Sequence, residues 1–330
     1  MYNFNIRKSD LPKVTFSIVT LNEEKRIKVC LEAIVTQAYP KEKIEIIVMD
    51  GGSKDKTIEI AKKFKAKIYF NKKKLAEPGL AEAYKKATGE YMIFMAADNI
   101  LFDKYWTRKI IQPFLDDPDH IFASFSRVVN ALDDNIWNKY LNEDTDPFSS
   151  FVFKNASHPD KFKKIYRIEK ENPHYIIYNY DVKNFPLIAL AQCTVLKTKI
   201  KRELNSNFDD ILPLVKIIEK GGKIAYVKDT GIYHFSVKEF NHLRIKFQKR
   251  IYNSIKTDSY ASRENYASTE RKIRRYLFLL YSFSFVLPLF DGIRLMVIKR
   301  KPYMLLHPIV SFIIGFYILF NFIKIKVWEK

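Results

Sequence analysis

A chain of 330 residues, 47% of them apolar, is long enough for one large α/β domain plus an appendage, and it is too rich in core-forming residues to be disordered. Its formal net charge of +20 at pH 7 leaves nucleic acid, an anionic membrane surface and phosphorylated substrates as partners without choosing among them. Cys30 and Cys193 are the only cysteines and each sits inside an apolar pattern, which excludes a disulfide framework or a cysteine zinc site and fits a reducing compartment.

The opening MYNFNIRKSDLPKV has neither an apolar run of signal-peptide length nor a small-residue cleavage site, so the first domain is expected to stay on the side of the membrane where it is made. VTFSIVT, residues 14–20, is β-branched and apolar and predicts a strand; Ile27, Leu31, Ile34 and Val35 then recur at helical spacing over 23–37. KIEIIVMD predicts a second strand ending on Asp50, followed by a helix over 57–64. A third short strand, AKIYF, leads through a charged loop to a helix over 81–87 and then to the strand YMIFM. That strand lies within GEYMIFMAADN, residues 89–99, which ends on an acid and an amide, with a helix expected around 103–115. Continuous apolar strands separated by helices predict a mostly parallel sheet covered on both faces. Ligands sit beyond the carboxyl ends of such strands, where Thr20, Asp50 and Asp98 all fall.

Residues 130–180 are rich in aromatic, Asp, Asn and Lys residues with weak periodicity and read as loops and short helices forming a variable wall. Strand character returns in PLIALAQCTVL, residues 186–196. A helix over 209–220 is closed by Gly221 and Gly222, and KIAYV is a further strand. Two basic clusters, 244–250 and 271–275, precede apolar stretches over 276–298 and 303–323. The second stretch is long enough to span a bilayer. The first is broken by Pro288, Asp291, Gly292 and Arg294 and suits an interfacial or re-entrant segment, because a crossing would have to carry Lys299, Arg300 and Lys301 against the positive-inside tendency. A buried helical hairpin in a soluble protein is the competing reading of the pair.

In DGGSKDKT a strand-end carboxylate precedes two glycines that allow close backbone approach, with Ser53 or Asp55 as helix N-cap. An ordinary strand-turn-helix connection explains the glycines and caps but not the acid. Asp98 could cap the next helix or offer one hard oxygen to Mg²⁺ or Mn²⁺ held chiefly by phosphates.

Taken in order, Thr20 with Leu21-Asn22-Glu23-Glu24, DGGSKDKT from Asp50, GEYMIFMAAD from Gly89 and DDILPLVKIIEKGGKI from Asp209 resemble the signatures of family 2 glycosyltransferases, nucleotide-sugar enzymes of GT-A fold. The resemblance covers approximately residues 13 to 235. It implies a GT-A-type α/β/α sandwich over 1–235, with 130–185 as an acceptor-side insertion and 236–330 as a C-terminal helical membrane-associated region. It implies nucleotide contacts from Thr20, Leu21, Asn22, Glu23, Asp50, Gly52, Ser53 and Ala97, with Asp50 on the base. Asp98 matches the metal-binding last acid of the family's DxD motif, and His234, in GIYHFS, resembles a histidine placed near metal and diphosphate. The first acid of that motif is replaced by Ala96, a departure that bears on ribose and secondary metal contacts.

Asp209 and Asp210 match the family's paired acids at a helix start, where the helix dipole alone would also favour them. Inverting sugar transfer needs a carboxylate to take the acceptor's proton, which makes Asp210 the expected base and Asp209 its neighbour. Arg244, Gln248 and Arg250 loosely resemble a diphosphate-side element without its tryptophan, and read equally as a solvated or lipid-facing basic face. The expectation is thus a metal-dependent inverting transferase at the cytoplasmic side of a membrane. Its partners are a nucleotide-sugar donor, a lipid-linked or glycan acceptor and an anionic membrane surface. A catalytically impaired nucleotide-sugar-binding scaffold is the alternative, favoured by Ala96. Nucleic acid is discounted because the basic clusters flank apolar segments instead of forming a recognition motif.

Overall fold

The computed structural model describes residues 7–153, 159–186, 193–199, 212–256 and 269–325. In chain order the elements begin β1 (Val14–Thr20), α1 (Glu24–Val35), β2 (Ile44–Asp50), α2 (Thr57–Lys63), β3 (Lys67–Phe70), α3 (Ala76–Lys86), β4 (Tyr91–Ala96), β5 (Asn99–Leu101), α4 (Trp106–Asp116) and β6 (Ile121–Val129). There follow α5 (Ile136–Asp144), α6 (Pro147–Phe153), α7 (Phe162–Ile165), β7 (Ile168–Glu171), β8 (Tyr175–Tyr178), β9 (Val195–Lys197), α8 (Leu212–Glu219) and β10 (Lys223–His234). The chain closes with α9 (Phe240–Lys256), α10 (Thr269–Ser284), α11 (Val286–Lys299) and α12 (His307–Ile323).

Two compact units result: Met1–Val129, Tyr166–Asp181 and Ala189–His234 form one, and Asn130–Ile165, Val182–Ile188 and Phe235–Lys330 form the other. All strands among the described residues belong to the first unit, in a sheet of order β3-β2-β1-β4-β9-β6-β10-β8-β7 with β5 paired to β10. The expected parallel arrangement holds for β3-β2-β1-β4. Beyond β4 the sheet is mixed, because β9 runs antiparallel to both β4 and β6, and β8 antiparallel to β10. Phe16, Ile18, Val48 and Ile93 from the strands meet Ile27, Leu31 and Trp106 from the helices in one apolar core. Both cysteines are buried there as free thiols. At the far end of α8, Gly221 has φ +73° and the amide of Gly222 donates to the carbonyl of Ile217, the C-cap expected from the glycine pair.

The amino ends of β1, β2 and β4 are tied by one buried carboxylate. Glu45 Oε2 accepts from Thr15 Oγ1 at 2.6 Å and from the Thr88 amide at 2.8 Å, while Oε1 meets Lys67 Nζ at 2.6 Å. Gly89 completes the knot: its amide donates to Thr15 Oγ1, and a Cβ there would lie 2.7 Å from the Thr15 nitrogen. This is why a glycine must open GEYMIFMAADN. Burial alone would raise the Glu45 carboxyl, but the hydrogen bonds from Lys67, Thr15 and Thr88 outweigh it and hold the group at about 2. A folded value below the ordinary 4.5 means stability that is complete above that range and is lost as pH falls towards 2. Glu45→Gln is therefore expected to cost about 3 kcal/mol near neutral pH and to flatten the acid limb of the unfolding curve. Chemical denaturation of both proteins between those pH values checks this; parallel acid limbs would assign the stabilisation elsewhere.

In the second unit, α5 starts at Asn135, whose side chain accepts from the amides of Trp137 and Asn138 and donates to the Val237 carbonyl. Helices α5, α6 and α9 to α12 enclose a core that includes Tyr140, Phe247, Phe278, Leu295 and Ile314. Inside it lies a polar knot. The Tyr281 hydroxyl donates to Asp291 Oδ2 at 2.9 Å, so its 2.9 Å contact with His307 Nε2 must be one it accepts. His307 Nδ1 then accepts from the Tyr140 hydroxyl at 2.7 Å, which fixes the imidazole tautomer. The weakly periodic 130–180 segment, read as loops and short helices, supplies the short helices α5 to α7 in this unit and, beyond that reading, the strands β7 and β8 in the sheet.

Candidate active site

Register brings the predicted groups to one sheet edge. Thr20 pairs with Asp50 across β1 and β2, and Val19 with Ala96 across β1 and β4. The Gly51 amide donates to the Thr20 carbonyl and the Ala97 amide to that of Val19, so the three strand ends stay in contact after pairing stops. Thr20 Oγ1 is buried without a hydrogen-bond partner. A buried hydroxyl left unpaired costs stability, a cost that a ligand's polar atom reaching it would offset.

Asp50 closes its own turn. Oδ2 accepts from the amides of Gly52 and Ser53 at 2.8 and 2.9 Å, and Oδ1 accepts from Ser53 Oγ. The strand-end acid that a plain connection did not explain at the sequence level therefore has a structural role, with one acceptor position left for a ligand. Ser53 Oγ in turn accepts from the Asn22 amide at 2.8 Å, Asn22 Oδ1 accepts from the Lys54 amide at 2.8 Å, and the Glu23 amide donates to Thr57 Oγ1 at 2.8 Å. The loops after β1 and β2 are thereby stitched into one rigid rim. Of the predicted nucleotide contacts, Asn22, Glu23 and Ser53 build this rim, Leu21 and Gly52 reach its surface, Thr20 and Asp50 are buried just beneath, and Ala97 is buried in the core, where only its backbone is near the edge.

Sequence reasoning missed Phe70. It ends β3 in register with Asp50 and is 64% exposed. A Cβ on Gly52, which has φ +94°, would meet the Phe70 ring at 3.4 Å, and one on Gly51 would meet Leu21 at 3.4 Å. Leu21 and Phe70 thus flank a side-chain-free strip beside the Asp50 carboxylate, a flat apolar ledge of the kind that takes a planar heterocycle. The signal available in the sequence was an aromatic at a strand's carboxyl end.

Asp98 lies in the turn between β4 and β5. Asn99 Oδ1 accepts from the Ala96 amide at 2.9 Å and holds that turn, and β5 pairs antiparallel with β10 so that Asn99 faces His234. The consequence is that Asp98 Oδ2 sits 3.7 Å from His234 Nε2, both side chains about one-fifth exposed. Asp98 Oδ1 is buried with no hydrogen-bond partner. A carboxylate oxygen without a donor next to an imidazole fits a divalent cation better than it fits a helix cap. Among the described residues no cluster of three or more His, Cys, Asp or Glu side chains surrounds it, so such a cation would draw its remaining ligands from phosphate oxygens and water.

Asp209 and Asp210 lie outside the described residues. Arg244, Gln248 and Arg250 are all exposed on α9, opposite its buried Leu243, Phe247 and Ile251, and belong to the second unit. Arg250 Nη1 stands 3.7 Å from Asp146 Oδ2, and the Gln248 carbonyl accepts from Asn321 Nδ2 at 3.4 Å.

Comparison with known proteins bears on the family and the fold. The chain is 38% identical over 91 residues to dolichyl N-acetyl-alpha-D-glucosaminyl phosphate 3-beta-D-2,3-diacetamido-2,3-dideoxy-beta-D-glucuronosyltransferase of Methanococcus voltae, covering 26% of this chain and 28% of that protein. It is 36% identical over 97 residues to glycosyltransferase AglE of Haloferax volcanii, covering 27% of this chain and 32% of the other. The matched segment thus spans about a third or less of the length of these curated relatives. Among solved structures, mannosyltransferase PcManGT from Pyrobaculum calidifontis, in complex with GDP-Man and Mn²⁺, aligns with a TM-score of 0.55 at 17% identity over 98% of this chain and 89% of that one. That likeness establishes the fold, a mixed α/β sheet of GT-A type. A family model described as glycosyl transferase family 2 matches residues 15–181, just over half of the chain, and the protein belongs to that family.

Proposed function

We propose that this chain is an inverting glycosyltransferase that moves a sugar from a nucleotide-sugar donor to a lipid-linked or glycan acceptor at the cytoplasmic face of a membrane. The observation that carries the reading is Asp98: a partly exposed carboxylate with one buried, unpartnered oxygen, 3.7 Å from His234, on the same sheet edge as Asp50 and Thr20. In this reading residues 1–235 carry the transfer chemistry, 130–185 contribute to acceptor choice, and 236–330 hold the protein to the bilayer.

The ledge between Leu21 and Phe70 takes the nucleobase, Asp50 accepts from its edge and Thr20 Oγ1 gains a polar partner from the nucleoside. Asp98 and His234 would hold Mg²⁺ or Mn²⁺, whose charge offsets that of the diphosphate when bound. Arg244, Gln248 and Arg250 remain candidate diphosphate-side residues by the sequence resemblance alone. Asp210 takes the proton from the acceptor hydroxyl, with Asp209 orienting it, and the attack inverts the anomeric carbon without a covalent enzyme intermediate. Support for the acceptor class comes from the Methanococcus relative, whose name describes transfer to a dolichyl phosphate-linked sugar, and support for the donor and metal from PcManGT with its GDP-Man and Mn²⁺. Support for the membrane comes from Pro302–Ile323, 22 residues long and apolar enough to cross a bilayer by length and composition.

Thermal shift of the full-length protein against UDP-, GDP-, CMP- and dTDP-sugars, with and without Mn²⁺ or Mg²⁺, tests the assignment. A metal-dependent rise with one nucleotide class is expected. Phe70→Ala should weaken that nucleotide about ten-fold while Phe70→Tyr keeps it, in line with the worth of one aromatic-base stack. A scaffold impaired by Ala96 would bind a donor yet give no turnover with any acceptor preparation, and no shift with any donor would refute both readings.

A further inference from the structure

Helices α10 to α12 are inside out. In a water-soluble bundle the polar residues face solvent and the apolar ones face the core. Here the outward positions are Tyr276, Leu280, Val286, Leu287, Phe290 and Val297, with Tyr276 at 80% exposure, and Leu305, Phe316 and Phe322 continue the pattern on the last segment. The polar groups point inward: Tyr281, Asp291 and His307 form the knot, Ser282 and Ser311 are fully buried, and Asn321 nearly so. Close packing comes from small residues, for a Cβ on Gly315 would fall 2.1 Å from Ser282 Oγ. Polar interiors, small-residue contacts and apolar exteriors are what a hydrocarbon solvent selects.

The first two of these helices are bent by 90° at Phe285, which sits at φ 56°. At 1.5 Å per residue, the 16 residues of α10 reach about 24 Å and the 14 of α11 about 21 Å, each short of the ~30 Å hydrocarbon thickness. The bend is held, not incidental. Tyr281 before the break donates to Asp291 after it, and His307 clamps the same hydroxyl. A bulky residue at positive φ persists only where its surroundings over-determine it, and this pair of contacts does so. Beyond the bend stand the exposed cations Arg294 on α11 and Arg300 and Lys301 just after its end, placed for anionic headgroups and costly to carry through lipid.

We propose that α10 and α11 form a re-entrant wedge that enters and leaves one leaflet of an anionic bilayer, so that Arg300 and Lys301 emerge on the side from which the wedge went in. The inference rests on the membrane association proposed above and adds to it a path for the chain. The native thiols make it directly testable. Cys30 and Cys193 are buried, and burial followed by nearby anionic groups pushes both thiols above their ordinary range, so neither competes for a maleimide.

Single variants Lys249→Cys on α9, Phe290→Cys on the wedge and Arg300→Cys after it are expressed in the full-length chain. Sealed membrane vesicles of both orientations are then treated with a membrane-impermeant maleimide. Arg300→Cys is expected to label in the same vesicle orientation as Lys249→Cys, and Phe290→Cys in neither until detergent dissolves the membrane. Labelling of Arg300→Cys only in the opposite orientation makes the pair a span and overturns the wedge while leaving membrane association intact. Phe290→Cys reacting in sealed vesicles as readily as Arg300→Cys takes the wedge out of the lipid. Release of the protein into solution by an alkaline wash removes the membrane reading itself, and nucleotide binding by the released protein would show that donor chemistry survives that loss.

Discussion

Asp210→Asn is expected to lower sugar transfer about 10³-fold while leaving nucleotide-sugar binding within two-fold of wild type, the range general-base removal covers being about 10²–10⁴. The neutral amide keeps the size and hydrogen-bonding shape of the acid and removes only its basicity, so the loss belongs in the chemical step. Measured as kcat and KM, the change should fall on kcat. Equal turnover by the variant would move the base to another carboxylate, with Asp209 the first to examine. The pH profile supplies a second readout, since the wild-type rate should rise with pH through the base's ionisation and the variant's residual rate should not.

The second large effect is expected at Asp98. Asp98→Asn should abolish the metal-dependent part of the nucleotide thermal shift, weakening binding by at least about 100-fold, more than groups in a metal's outer shell cost when removed. His234→Gln should produce a smaller loss of the same kind. The fold predicts little damage from either, because Asn99, not Asp98, holds the turn after β4 through its bond to the Ala96 amide. A variant that still shows the full metal dependence would place the cation elsewhere, and one that fails to fold would show the carboxylate to be a structural group.

What the sequence disclosed followed from periodicity and strand length. β1 and β2 were readable to their last residue because each is an apolar run stopped by a polar group at the sheet edge, Thr20 and Asp50. β6 was not, since IFASFSRVV interleaves Ser124, Ser126 and Arg127 with its apolar residues and shows no continuous apolar run. The direction of β9 was equally hidden: three residues carry no information about which way they run, and only pairing with β4 and β6 decides it. At the site, the placement of Asp50 and Asp98 was legible, and the family resemblance already set His234 beside the metal acid. What no local pattern tells is that β5 folds back on β10 to make that approach, or that the Asn22 amide reaches across to Ser53 Oγ. The inward polar knot of α10 to α12 was invisible for the same reason, because Tyr140, Tyr281 and His307 are far apart in sequence.

The short strand β9 also sets an order of events during synthesis. It is the only strand among the described residues that joins β4 to β6, yet β4 ends at Ala96 and β9 begins at Val195. About 100 residues must leave the ribosome between them, which takes about 5 to 20 s at ~5–20 residues per second. Throughout that interval the nascent β4 has one unpaired edge, and β6, once it is made, has two, since its partners β9 and β10 both come later. Unpaired edges are templates for pairing with another chain. The cell must therefore shield this segment until Val195 to Lys197 arrive, and a trigger-factor-like chaperone should crosslink to stalled chains of intermediate length and release those long enough to expose β9.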